Sequence, residues 1–74
     1  MWLELHDKEG RSIFVNMAVA TEFRKWNPDD PYTNIYMESF GEKGHTVLVV
    51  EEPNDIMNMI VVEQRRLAEL AQPQ

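Results

Sequence analysis

The chain contains no cysteine, which excludes disulfides, thiolate zinc cages and thiol nucleophiles together. The same absence fits a reducing compartment, so a cytoplasmic location is the expectation. Histidine is nearly absent too: with only 2, a zinc site would need carboxylates to complete it. No run approaches the roughly 20 apolar residues that a membrane-crossing helix requires. The opening Met1-Trp2-Leu3-Glu4-Leu5-His6-Asp7 has neither the basic start nor the apolar stretch of a signal peptide. Basic residues are scarce, 7 Lys and Arg against 13 Asp and Glu, for a formal charge of −6. Nucleic-acid binding draws its affinity from a basic footprint on phosphates, and this balance argues against it. The two basic pairs, Arg24-Lys25 and Arg65-Arg66, read more simply as solvated faces.

The 3 glycines form no phosphate-binding loop of known spacing. Ser12 and Ser39 fall within strand-like runs, away from any nucleophile elbow. Asp29 and Asp30 are adjacent, but without the alternating carboxylates, central glycine and distal glutamate of a calcium loop they read as a solvated turn. His6 and His45 could meet only if the first and fifth strands pair, with Glu4, Asp7 or Glu38 as the orienting carboxylate. Two strand-end histidines facing solvent are the simpler reading. The chain is therefore read as a non-enzyme with no cofactor and no metal.

Seventy-four residues make one domain, taken as residues 1–71 with a frayed tail at 72–74. A chain this short buries only about 60% of the surface its unfolded form exposes. Association with another subunit is the remaining device for stabilising so thin a core.

Residues 2–6 alternate Leu3 and Leu5 with Trp2, Glu4 and His6, the period of a half-buried strand. Asp7-Lys8-Glu9-Gly10 suits a hairpin loop in which Gly10 takes a positive φ. Residues 12–16 place Ile13 and Val15 on one face and Phe14 on the other, where Phe14 needs cover from another element or another chain. A short turn over residues 16–19 and a third strand over about residues 20–26 come next. Val19, Phe23 and Trp26 would also suit a helix there. Asn27-Pro28-Asp29-Asp30-Pro31 is a loop, since its prolines fix φ and remove donors. Residues 32–40 read as a fourth strand with Thr33, Ile35, Met37 and Ser39 on one face and Tyr36, Glu38 and Phe40 on the other. Gly41-Glu42-Lys43-Gly44 makes a second hairpin turn. Residues 45–50 are a fifth strand, and Val47-Leu48-Val49-Val50, apolar on both faces, predicts a central or doubly covered position. Pro53 suits the first position of a C-terminal helix. Glu51, Glu52 and Asp55 place negative charge at its start, and Arg65 and Arg66 lie toward its end. The fold expected is α+β: a small antiparallel sheet or partly open barrel of about five strands with one C-terminal helix.

That helix is more apolar than one contact surface requires. Ile56, Ile60, Leu67 and Leu70 form a stripe interrupted by Glu63, with Met57, Val61 and Ala68 beside it and Met59 and Val62 elsewhere. A surface helix normally keeps a polar back, and exposed apolar patches of several hundred Å² mark interaction sites. A self-associating, protein-binding module follows as the expectation, with Phe14, Trp26, Tyr36, Met57, Met59, Val61 and Val62 as interface residues and Trp2 as a further exposed aromatic of that surface. Trp26 and Tyr36 are of the types that dominate binding energy.

One further pattern runs through the chain. Leu3-Glu4-Leu5-His6-Asp7-Lys8-Glu9-Gly10 leads to Ile13-Phe14-Val15-Asn16, then Pro28-Asp29, Thr33-Asn34-Ile35-Tyr36-Met37, Gly44 and Val47-Leu48-Val49-Val50-Glu51-Glu52 before Asp55-Ile56. Over about residues 3–62 this resembles the small flagellar FlbD/SwrD-type proteins, most specifically at Val15-Asn16 and at the strand–Glu–helix junction. The turn at Pro28 is longer here than is usual in that family, and residues 64–74 extend beyond its usual end. The resemblance implies a non-enzymatic motility accessory and supplies no active-site residues. Short sequences of this type also occur among phage proteins, which gives a phage accessory as the alternative. A small β-barrel stacking nucleic-acid bases on Phe14, Tyr36 and Phe40 is a further one, opposed by the charge.

Overall fold

A computed structural model describes residues 1–38 and 45–71 of the chain. The expected continuation of a strand through Ser39 and Phe40, the turn at residues 41–44 and the frayed tail at 72–74 lie outside the described residues. The domain is α+β, with five antiparallel strands in two small sheets and one C-terminal helix, and it is not a closed barrel.

Strands β1 (Trp2–His6) and β2 (Ser12–Asn16) form an antiparallel hairpin with Leu3 opposite Val15 and Leu5 opposite Ile13. The loop between them is built by Asp7. Its carboxylate accepts the backbone N–H groups of Glu9 (3.0 Å) and Arg11 (2.9 Å), while Gly10 takes φ +80° to close the turn, a conformation that glycine adopts without a Cβ penalty. These N–H groups hold the Asp7 carboxyl below its ordinary value, with the N–H of Arg11 the largest contributor.

Asn16 ends β2 and caps a single 3-10 turn, Met17–Val19, by accepting the N–H of Ala18 at 3.1 Å. The chain then enters β3 (Ala20–Arg24), so the turn-and-strand reading of this segment holds and the helical alternative does not. The strand ends at Arg24, two residues before the expected end. Strands β4 (Thr33–Met37) and β5 (His45–Val49) complete a sheet ordered β3-β4-β5. The expectation that β5 is central or doubly covered is corrected here. The central strand is β4, with Thr33, Ile35 and Met37 buried, while β5 lies at the sheet edge with Leu48 and Val50 open to solvent. Among the described residues the hairpin and the helix residue Ile56 pack on the inner face of this sheet, and Leu48 on its outer face stays exposed.

Helix α1 (Pro53–Ala71) begins at Pro53, as its sequence predicts, with Asp55 in the first turn. Arg65 and Arg66 precede its last turn, which carries no basic residue. Leu3, Leu5 and Val15 from the hairpin, Ile35, Met37 and Val49 from the second sheet, and Ile56 from the helix form the core. Thr33, the buried polar residue, donates its hydroxyl to the Glu51 carbonyl at 2.6 Å, so its burial costs little.

Candidate functional site

The two sheets meet beside the helix start. The N–H of Val50 donates to the His6 carbonyl at 3.0 Å. The Glu51 carboxylate reaches back to take both the His6 backbone N–H (3.0 Å) and its ring Nδ1 (2.7 Å). The hydrogen bond from Glu51 holds the His6 ring above its ordinary value, and the charges of Glu51, Glu4 and Asp7 add to it against a desolvation cost. Burial alone would push the Glu51 carboxyl up, but the hydrogen bonds from His6 outweigh it and the net shift is downward. Both groups are thus biased toward their charged forms.

This corrects two sequence expectations. The approach of the first and fifth strands brings His6 to Glu51, whereas His45 sits at the opposite end of β5, across from Met37. Glu51 and Glu52 do more than supply charge at the helix start. Glu51 joins the sheets, and Glu52 pairs with Lys25 at 2.7 Å, tying the chain beyond β3 to the start of α1. The His6–Glu51 pair thus clasps the end of β1 to the chain just before α1, with Ser12 directly across the hairpin from His6. Among the described residues no group of three or more His, Asp or Glu could hold a metal. No helix of the described residues is long and apolar enough to cross a membrane.

The sequence-predicted interface residues do not form one patch. Phe14 lies on the outer face of the hairpin, 67% exposed, where Glu4 is its direct partner and Trp2, 63% exposed, is a diagonal neighbour. Trp2 in turn lines a groove of about 430 Å³ between β1 and α1, together with Leu3, Glu4, Asn58, Met59, Val62 and Glu63. Trp2, Met59 and Val62 thus give this groove its apolar side chains, and Phe14 extends the strip across the hairpin by its register next to Trp2. Met59 is half-buried and packs against the core, while Val62 is 64% exposed. Met57, about half exposed, and Val61, half-buried, share the helix's other flank by their spacing.

Trp26 and Tyr36 sit away from this strip, at the outer face of the three-stranded sheet. The Trp26 indole N–H donates to the Tyr36 hydroxyl, and the Arg24 guanidinium lies 5.9 Å from the Tyr36 ring centre. Trp2 was expected among the exposed aromatics of the interface, but Leu67 and Leu70, 43% and 70% exposed, were absent from the predicted set. For the leucines, the signal was the 4-3-4-3 spacing of Ile56, Ile60, Glu63, Leu67 and Leu70 along the helix.

No protein-family model matches this chain, and no characterised protein or solved structure matches it either.

Proposed function

We propose that the domain is a non-enzymatic protein-binding adaptor that associates with copies of itself through the strip of Phe14, Trp2, Met59 and Val62 and the adjoining end of α1. The carrying observation is an imbalance. Among the described residues seven hydrophobic side chains are buried, while nine large ones stand exposed: Trp2, Phe14, Trp26, Leu48, Val50, Met57, Val62, Leu67 and Leu70. The stripe that begins with buried Ile56 and partly buried Ile60 continues to exposed Leu67 and Leu70. Residues 64–71 are all exposed.

A second copy suits this surface by charge. At the helix start Glu51 and Glu52 are paired with His6 and Lys25 but Asp55 makes no ion pair, and Arg65 near the other end makes none either, among the described residues. Two helices laid antiparallel bring Arg65 of each copy toward the acidic start of the other and align their dipoles favourably. Such a pairing is isologous, so one patch serves both subunits. The FlbD/SwrD-type pattern supports a motility accessory as the biological setting, with a phage accessory as the alternative; flagellar or capsid genes beside this one would separate them.

Sedimentation at tens of micromolar tests the reading. The expected species is a dimer or larger. Val62→Asp and Leu70→Asp, both at exposed positions, should return it to the 8.7 kDa monomer with an unchanged circular dichroism spectrum. A wild-type chain that sediments only as a monomer, or variants that keep the assembled mass, would overturn it.

A further inference from the structure

On the outer face of the three-stranded sheet, far along the chain from the self-association strip, Trp26, Asp30, Pro31, Tyr32, Asn34 and Leu48 line an open groove of about 260 Å³. We propose that this groove binds an extended, proline-containing peptide segment that carries a lysine or arginine.

The anchor is Trp26. It is 70% exposed, yet its one donor is already spent on the Tyr36 hydroxyl, so the face it offers is purely apolar. The residues that follow are tied down as well. The Asn27 N–H donates to the Asp30 carboxylate at 2.9 Å, and the Asp30 N–H returns to the Asn27 carbonyl at 3.0 Å. This turn fixes Pro31 and Tyr32 relative to the indole. An aromatic held in one orientation before binding loses little rotamer freedom on contact, which is how exposed tryptophans come to dominate interfaces.

The chemistry of the rim selects the occupant. The Tyr36 hydroxyl accepts from Trp26 and keeps its own proton to donate. Polyproline II segments present unpaired backbone carbonyls and apolar ridges, and they dock into aromatic-lined grooves. Asp30 has a second carboxylate oxygen beyond the one used in the turn, and Asp29 is exposed beside it. The cations of this region are already engaged: Arg24 lies near the Glu22 carboxylate (3.6 Å) and over Tyr36, and Lys25 pairs with Glu52. The rim is therefore acidic, on a chain of net charge −6, and complements a basic side chain on the peptide. This surface shares no residue with the strip proposed for self-association, so neither reading depends on the other.

The test is amide-resolved NMR titration of the full chain with a panel of synthetic twelve-residue peptides. These carry proline pairs separated by leucine, with two arginines at one end or the other. A matched set has the arginines replaced by glutamates. Saturable shifts centred on Trp26, Tyr32, Asn34 and Leu48 are expected with the arginine peptides, and binding at least tenfold weaker with the glutamate set. Trp26→Ala should weaken binding at least tenfold, and Asp29→Asn, which removes only an exposed charge, should weaken it several-fold with the spectrum otherwise unchanged. If Trp26→Ala fails to fold, Leu48→Lys at the exposed edge of the groove replaces it with the same expectation. The proposal is overturned if no peptide of the panel gives saturable shifts, if shifts fall on Trp2 and Val62 instead, or if glutamate peptides or a single-stranded oligonucleotide bind the groove equally well.

Discussion

Helix α1 is one continuous element with two unlike halves. The first half is fixed from three directions. Ile56 is fully enclosed, Glu51 just before it clasps His6, and Glu52 holds Lys25. The second half, residues 64–71, carries the same apolar stripe, but every residue of it is exposed, Leu67 by 43% and Leu70 by 70%. At about 1.5 Å per residue, the 19 residues span about 28 Å, and the one fully buried residue, Ile56, lies in the first turn. Identical periodicity thus serves cohesion in one half and is available for association in the other. Sequence alone does not mark where one role gives way to the other, because the change is set by where the body ends.

The largest effect that distinguishes the halves is expected at Ile56. Ile56→Ala removes a fully enclosed side chain at the junction of both sheets, and should cost about 3 kcal/mol in chemical denaturation, from lost transfer energy and the cavity left behind. A domain of this size has only about 5 kcal/mol to lose, so the variant should be close to unfolding at 37 °C. A cost under about 1 kcal/mol would show that the first half is not the anchor.

The clasp before the helix sets a pH dependence on that anchoring. His6 is raised by Glu51, so the stability it contributes is fully present below its unfolded value and lost as pH rises through its raised folded value. Glu51 is lowered, so its contribution is present above the ordinary carboxylate range and lost as pH falls through its depressed value. The clasp is strongest between these limits, in mildly acidic solution. The melting temperature should fall modestly between about pH 5.5 and pH 8.5, the range over which histidine loses its charge. Glu51→Gln should flatten that fall. A His6→Gln variant with the same slope as wild type would assign the dependence to other groups.

The readable parts of this fold were those in which a residue type dictates backbone geometry locally. Gly10 marked the hairpin, Asn16 the end of β2 and its capped turn, and Pro53 the start of α1. Alternation in β1 set Leu3 and Leu5 apart from Trp2, Glu4 and His6, and in β4 it put Thr33, Ile35 and Met37 on one face without saying that this face is the buried one. The failures were non-local. Val47-Leu48-Val49-Val50 reads as a doubly covered strand, but what covers a strand depends on layer count, and one helix cannot shield two faces. Glu51 looked like helix-start charge because its partner His6 is 45 positions away. The Trp26–Tyr36 contact spans 10 positions and requires the register of β3 against β4, including its shift between Ala20 and Glu22. Trp26 and Tyr36 were singled out by residue type alone, so nothing in the sequence separated them from the Phe14–Val62 strip on a different part of the molecule.

The smallest expected effect is at the far end of the comparison. Leu70 is 70% exposed, so in an isolated subunit its side chain contributes little burial. Alanine is at least as good a helix former as leucine. Leu70→Ala should therefore leave the stability of the dilute monomer within about 0.5 kcal/mol of wild type, as surface substitutions do. At high concentration the same change should lower the melting temperature, because an assembly that covers Leu70 stabilises the folded chain by mass action. Paired melts of wild type and variant at low and high micromolar concentration separate the outcomes. A loss at both concentrations would mean that the end of the helix packs on its own body, and the contrast between the halves would disappear. No loss at either would leave Leu70 outside any interface and restrict association to the Trp2–Val62 strip.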